Sequence, residues 1–314
     1  MRYFLYVLLA FLVFGVIPTL ILSYILFSVL LTRRKKDKWS REPSMPNDEE
    51  YVRLFEQAKQ WRDANAAFRR DLEMTNDGLK QFAEYYDFGS DKAAIIIPGR
   101  MEACTYSCHY GEPYRRAGYN VLTIDVRSHG RSEGKVNTLG YKEYRDILAW
   151  ARLLESECGI KTVVLHGVCI GASTALYAAS ADDCPDCIAG VVADGMYRCF
   201  YDSCKKHMQK DHRPIFPYLL EVMLYIRLTS GRSAVFDGPK KRIELMHRPI
   251  LFIHSREDIF SVPEGTYEMF ERCPSEHKQF AWFEHGGHSR VRINNPERYD
   301  EVISDYLASL PSRD

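Results

Sequence analysis

From residue 93 onward, short wholly apolar runs alternate with stretches of helical periodicity, and this alternation constrains the fold more than any other feature. The runs are residues 93–98 (AAIIIP), 120–126, 161–166 (KTVVLH), 188–193, 249–253 and 279–283. Helical stretches separate or follow them, including residues 141–157 and a segment starting near residue 170. Strands without polar alternation are buried on both faces, and strands alternating with helices form a parallel sheet covered on both sides. The expected class is therefore α/β, with a mostly parallel central sheet.

Upstream of this region the pattern changes. Asn76-Asp77-Gly78 lies between two short runs and supplies the residues that a hairpin turn needs. Tyr51, Leu54, Phe55, Ala58 and Trp61 recur at helical spacing after Asn47-Asp48, a candidate N-cap. This predicts an amphipathic helix over residues 51–70, lying on a membrane surface or packed on the rest of the protein. Residues 40–49 (SREPSMPNDE) are polar and carry two prolines, so they read as linker.

Residues 3–31 form one long apolar run without a charge. About 20 apolar residues suffice for a helix to cross the hydrocarbon core, and this run exceeds that. A secretory signal would have a shorter apolar region and a small-residue cleavage site. Pro18 is tolerable within a span, at the cost of a kink. Arg33, Arg34, Lys35, Lys36 and Lys38 follow the run, against Arg2 alone before it. The positive-inside rule then places the C-terminal side in the cytoplasm, where the basic cluster suits anionic headgroups. The expected organisation is a single-pass transmembrane helix (1–32), a basic and polar linker (33–50), the amphipathic helix (51–70) and a catalytic domain (71–314).

Acidic and basic residues balance at 42 each, which argues against a nucleic-acid partner held by bulk charge. The nine cysteines are an odd count in a long chain, and they read as free thiols in a reducing compartment. Cys184-Pro-Asp-Cys187 has neither a second pair nor a histidine couple to complete a zinc site. No metal or organic cofactor is implied. Residues 197–246 interrupt the alternation and carry their own apolar stretch, YLLEVMLYI. An insertion of this length reads as a small helical cap over the site, or as an inserted helix pair without a substrate role.

The chemistry centres on Gly167-Val168-Cys169-Ile170-Gly171, where a strand meets a helix. This is a nucleophile-elbow pattern with cysteine in the central place. The turn is strained, and side chains two residues before and after the nucleophile would collide. It also sets the sulfur at a helix N-terminus, where the macrodipole and free N–H groups favour a thiolate. A nucleophile needs a base, and the base an orienting acid, in the chain order nucleophile, acid, histidine. Asp258 follows the strand that begins near Pro249, and His288 lies in the glycine-rich loop Glu284-His285-Gly286-Gly287-His288. His285 competes with His288 for the base, and Asp194 with Asp258 for the acid.

Three further motifs join the elbow. They are Asp125-Val126-Arg127-Ser128-His129-Gly130-Arg131-Ser132-Glu133-Gly134, Ser261-Val262-Pro263 after Asp258, and the Gly287-His288 pair. On these motifs, residues from about 71 to the C-terminus resemble the α/β-hydrolase superfamily, in its serine-aminopeptidase-like and monoglyceride-lipase-like branch. The resemblance implies an α/β-hydrolase fold and a Cys169, Asp258 and His288 triad. It also implies oxyanion donors at the backbone N–H groups of Ile170 and Arg100. The sequence departs from that branch at Ser128 (usually glycine), at Pro98-Gly99 (usually His-Gly) and at Cys169 (usually serine). Dienelactone hydrolases and bile-acid-CoA:amino-acid acyltransferases are similar in using cysteine in this fold. Asp125, Arg127 and His129 are expected to order a loop.

The expected activity is hydrolysis of an ester, thioester or related acyl bond, on a small-molecule or lipid-derived substrate near the bilayer. An acyltransferase with an amine or thiol acceptor would use the same triad. A decayed elbow, with Cys169 a small buried hydrophobe, would leave a membrane-tethered binding protein. Oligomeric state is not legible.

Overall fold

The computed structural model describes residues 1–43 and 45–311. Asp77 and Gly78, at φ 50° and 73°, form the two-residue turn of a hairpin between β1 (Arg69–Asn76) and β2 (Leu79–Tyr86). Positive φ at both positions matches the twist of the flanking strands. The apolar runs become β3 (Lys92–Ile97), β4 (Asn120–Asp125), β5 (Thr162–Val168), β6 (Ile188–Asp194), β7 (Ile250–Ser255) and β8 (Lys278–Phe283). The sheet order is β1-β2-β4-β3-β5-β6-β7-β8, antiparallel at β1–β2 and β2–β4 and parallel elsewhere.

Burial on both faces explains the unbroken apolar character of these strands. Ile95 and Ile97 point into one core and Ala94 and Ile96 into the other. Burying an isoleucine side chain contributes about 1.5–3 kcal/mol, so β3 anchors both layers. The helices of ten residues or more are α1 (Arg2–Leu31), α2 (Glu49–Ala64), α3 (Glu143–Cys158), α4 (Ile170–Ala179), α5 (Phe200–Lys210), α6 (Tyr218–Ser230), α7 (Pro263–Arg272) and α8 (Pro296–Ala308). Core residues of α3, α4 and α7 fill one face, and those of α2 and α8 fill the other.

The amphipathic helix is shorter than the expected 51–70. Asp48 caps α2 by accepting the Tyr51 N–H at 3.1 Å, and Asn65 ends the helix by turning its amide back onto the Trp61 carbonyl. Arg69 and Arg70 already pair with Tyr86 and Tyr85 in the hairpin. Tyr51, Leu54, Phe55 and Ala58 are buried against the domain, so the helix packs on the protein. The helix expected from residue 141 begins at Glu143, whose carboxylate accepts the Thr138 and Gly140 N–H groups at 2.7 and 2.9 Å.

The insertion supplies α5 and α6, which share an apolar cluster with Ile170, Tyr197, Phe27 and Leu31. α1 is a single helix of 30 residues, long and apolar enough to cross a membrane. It accommodates Pro18 with a π turn over Leu12–Val16. Its C-terminal half lies against α6. The described residues between α1 and α2 form no helix or strand, yet they are fastened to the domain. Thr32 bridges to Val136, the Trp39 ring stacks on His129 with centroids 4.5 Å apart, and Arg41 binds both Glu84 and Asp125. Glu84 and Asp125 are fully buried, so removing one of their cations strands negative charge in the interior. Arg41→Ala is expected to cost roughly 3–4 kcal/mol in denaturant unfolding. The exposed Lys36→Ala is expected to stay within about 0.5 kcal/mol of the parent.

Candidate active site

The carboxyl ends of the parallel strands gather the chemistry-bearing residues on one edge of the sheet, where ligands bind in open α/β folds. Cys169 follows β5, Arg100 stands three residues past β3, and Asp258 and His288 follow β7 and β8. Cys169 adopts φ 56° and ψ −114°, outside the usual region for a residue with a side chain. Its N–H donates to the Asp194 carbonyl at 2.8 Å, and its carbonyl accepts the Ala172 N–H at 3.1 Å. A Cβ on Gly167 would lie 2.2 Å from the Gly171 carbonyl carbon and oxygen. One on Gly171 would lie 2.2 Å from the Ile97 oxygen and 2.8 Å from the Pro98 oxygen. The two glycines let the elbow close on itself and on the end of β3.

His288 Nδ1 lies 2.8 Å from Asp258 Oδ2, and the ring stands near enough to Cys169 for the sulfur to act on its charge. With Nδ1 engaged by the carboxylate, Nε2 is the nitrogen left for sulfur. The carboxylate is itself held from several sides. Oδ1 accepts the Phe260 and Ser261 N–H groups at 2.8 and 2.9 Å, and Oδ2 accepts the Ser261 hydroxyl at 2.5 Å. Burial opposes charge on Asp258, but the His288 charge and these donors outweigh it and hold the carboxyl well below its usual range. Burial likewise opposes charge on His288. The Cys169 sulfur and the Asp258 carboxylate overcome it and hold the imidazole well above its usual value.

The competing residues are arranged differently. The His285 side chain is 78% exposed and bonds Glu257 at 3.1 Å. Asp194 is buried, accepts the Tyr299 hydroxyl at 2.8 Å, and makes its contact with the elbow through its backbone carbonyl. Burial pushes its carboxyl up to about 7. Ile170 opens α4, so its N–H has no carbonyl one turn earlier. The Arg100 carbonyl bonds His129 Nε2 at 2.6 Å, while its guanidinium donates to the Leu30 carbonyl at the end of α1 at 3.0 Å.

The loop after β4 is ordered as expected. Asp125 accepts the Cys104 and Arg131 N–H groups, and Arg127 grips Asp146 with two bonds of 2.7 Å. In the sequence Ser261 stands out only as part of the Ser261-Val262-Pro263 motif. Its hydroxyl lies 2.5 Å from Asp258 and 3.0 Å from His288 Nδ1, bridging acid and base. Glu102 belongs to none of the sequence motifs. It is buried, and accepts both the Gly99 N–H and the Tyr51 hydroxyl, tying α2 to the loop after β3. Its signal was a carboxylate three residues past a glycine at a strand end. The nine cysteines are free thiols, Cys184 and Cys187 included. Among the described residues no group of three or more histidine, cysteine or acidic side chains could hold a metal.

Burial pushes His129 and His254 down to about 4 and His166 down to about 3, so each is neutral in the fold near pH 5. The unfolded chain protonates them below about pH 6.5, so their contribution to stability is lost as pH falls from there towards the folded values. Asp194 acts in the opposite sense, because its raised pKa favours the fold as pH falls from 7 towards 4. Three histidines outweigh one carboxyl. Stability is expected to drop by on the order of 3 kcal/mol per pH unit near pH 5. Urea midpoints at pH 7 and pH 5 check this, and an equal or higher midpoint at pH 5 would contradict it.

Residues 94–308 match the family model described as the Alpha/beta hydrolase family. The uncharacterized protein YqkD of Bacillus subtilis is 28% identical over 218 residues, covering 69% of this chain and 71% of that protein. The uncharacterized membrane protein YNL320W of Saccharomyces cerevisiae is 25% identical over 194 residues, 62% of each chain. Among solved structures, the Pyrococcus furiosus esterase Pf2001 superposes with a TM-score of 0.65 at 24% identity, over 80% of this chain and 94% of that one. An alpha-beta hydrolase from Vibrio vulnificus gives 0.63 at 16% identity, over 90% and 93%. These likenesses to solved structures concern the fold.

Proposed function

This chain belongs to the alpha/beta hydrolase family, and on that premise we propose that it is a membrane-tethered hydrolase that cleaves an ester or thioester through an acyl intermediate on Cys169. The observation that carries this reading is a cysteine on a strained elbow beside an imidazole whose Nδ1 lies 2.8 Å from a buried carboxylate.

In this reading the sulfur attacks the acyl carbonyl and forms a carbon–sulfur bond. The developing oxyanion lies against the N–H groups of Ile170 and Arg100. His288 gives its proton to the leaving alcohol or thiol as the carbon–oxygen or carbon–sulfur bond breaks. The now neutral imidazole then takes a proton from water, which attacks the thioester. The tetrahedral adduct collapses, releasing the free acid and returning sulfur and imidazolium to their starting state. Asp258 holds the ring orientation throughout, and Ser261 holds Asp258.

The apolar cluster that contains Ile170, and against which Cys169 packs, also contains cap residues Leu219, Val222, Met223 and Ile226. Apolar residues beside the nucleophile suit an acyl chain better than a polar acyl group. The length and apolarity of α1 support membrane attachment, and the yeast relative is named a membrane protein. The basic cluster from Arg33 to Lys38 favours a cytoplasmic domain.

The test is to supply the full-length protein, in detergent, with activated esters and acyl thioesters of increasing chain length, with and without added amine. Free acid as the product in both conditions supports the hydrolase. Amide replacing acid would overturn it in favour of acyl transfer, and no turnover on any substrate would favour a binding protein.

A further inference from the structure

α6 is apolar on nearly every side, and only one side is explained by the fold. Leu219, Val222, Met223 and Ile226 are buried in the cap cluster. Leu220, Leu224 and Leu228 recur every four residues and are 47%, 45% and 71% exposed, with Phe216 at 78% just before the helix. A stripe of this kind facing water is costly and calls for an apolar neighbour.

The neighbour is indicated by how α6 is fastened. Its Glu221 carboxylate accepts the hydroxyls of Thr19 and Ser23 on α1, at 2.8 and 2.7 Å. The Tyr225 hydroxyl donates to the Leu20 carbonyl, and its ring packs on Tyr24 and Phe27. Thr19 and Ser23, polar positions in an otherwise apolar helix, are therefore where the cap is pinned. α1 is about 45 Å long at roughly 1.5 Å per residue, whereas the hydrocarbon core is about 30 Å thick. The surplus is about ten residues, so α1 is long enough to span the hydrocarbon and still carry a stretch at the membrane surface. On the far side of the same contact, Ile21, Leu22, Ile25 and Val29 of α1 are exposed. The stripe on α6 thus continues the lipid-facing surface of α1.

We infer that α6 lies in the membrane surface beside α1, with Leu220, Leu224 and Leu228 in the acyl-chain boundary, so that Cys169 takes its acyl chain from the bilayer. This rests on the membrane attachment proposed above. Amphipathic helices that lie in the interface bury their apolar face about 5–10 Å deep. From that face the cluster of Phe27, Leu31, Val222, Ile226 and Ile170 runs inward to Cys169. The substrate class is accordingly a membrane amphiphile bearing an acyl ester or thioester.

The test uses the full chain in phosphatidylcholine vesicles, with a benzophenone amino acid placed singly at Ile25, Leu224, Leu228 or Phe68. Phe68 is also exposed, but it precedes β1 at the sheet edge opposite Cys169. Lipid adducts at Leu224 and Leu228 in yields similar to Ile25, with little at Phe68, are expected. Adducts at Ile25 without adducts at Leu224 and Leu228 would overturn the inference and leave the membrane helix standing. No adducts at Ile25, with the protein washed from the vesicles, would overturn the attachment itself. In parallel, Leu224→Asp is expected to slow a vesicle-borne ester several-fold and spare a short soluble ester. Equal loss on both, or loss on neither, would contradict the route from the bilayer.

Discussion

Cys169→Ala is expected to lower turnover by roughly 10⁴–10⁶-fold, because removing the nucleophile of such a unit costs about as much as removing the whole unit. Alanine keeps the elbow, since it only deletes the sulfur, so the variant should unfold at the same denaturant concentration as the parent. Cys169→Ser is the more informative partner. It puts a hydroxyl where the sulfur stood and removes the sulfur that, with Asp258, holds His288 above its usual value. The imidazole then titrates lower and must serve as a true base to the hydroxyl. Measurable residual activity is expected, with an acid limb set by deprotonation of His288, which the parent's sulfur–imidazolium pair does not require. A Cys169→Ala variant that retained turnover would show that chemistry resides elsewhere.

Gly171→Ala should be among the most damaging single methyl groups in the domain. The added carbon would meet the Ile97 carbonyl oxygen at 2.2 Å, and neither strand nor helix can move without opening the elbow. A loss of more than about 3 kcal/mol is expected, with activity abolished in whatever fraction still folds. Gly159→Ala is the control. Gly159 has φ 68° and open space around it, so only the backbone conformation is strained, at about 1–2 kcal/mol, far from the site. Denaturant midpoints of the two variants check the difference. Equal midpoints would mean that the elbow is looser than its geometry indicates.

The features legible in the sequence share a physical basis. Strands buried on both faces lose their polar alternation, so β3 to β7 stood out as apolar runs. The hairpin was legible because Asp77-Gly78 suits φ values that few dipeptides adopt. The elbow was legible because its glycines answer to backbone crowding that no other residue tolerates. What escaped depends on partners distant in the chain. Arg41 and Trp39 look like ordinary linker residues until Glu84, Asp125 and His129 are brought beside them. Thr19 and Ser23 lie inside the apolar run and Glu221 inside the apolar stretch of the insertion, and nothing local shows that they meet. Ser261 needed the loop geometry that sets its hydroxyl between acid and base. The placement of β4 between β2 and β3 had no local signal at all.

These contacts alter how the N-terminal region is best handled. Deleting residues 1–38 would remove the Thr32 bridge and the Leu30 carbonyl that receives Arg100. The full chain is the material for any assay of this site.

The central claim is an acyl group carried on sulfur, and mass spectrometry of acid-quenched protein tests it most directly. The full-length protein is mixed with a p-nitrophenyl acyl ester, quenched during turnover, and digested for peptide mapping. The account predicts one added acyl mass on the peptide containing Cys169, gone in Cys169→Ala and cleared by hydroxylamine as a thioester should be. Ester hydrolysis that proceeds with Cys169 unmodified, or with the label on another residue, would contradict it.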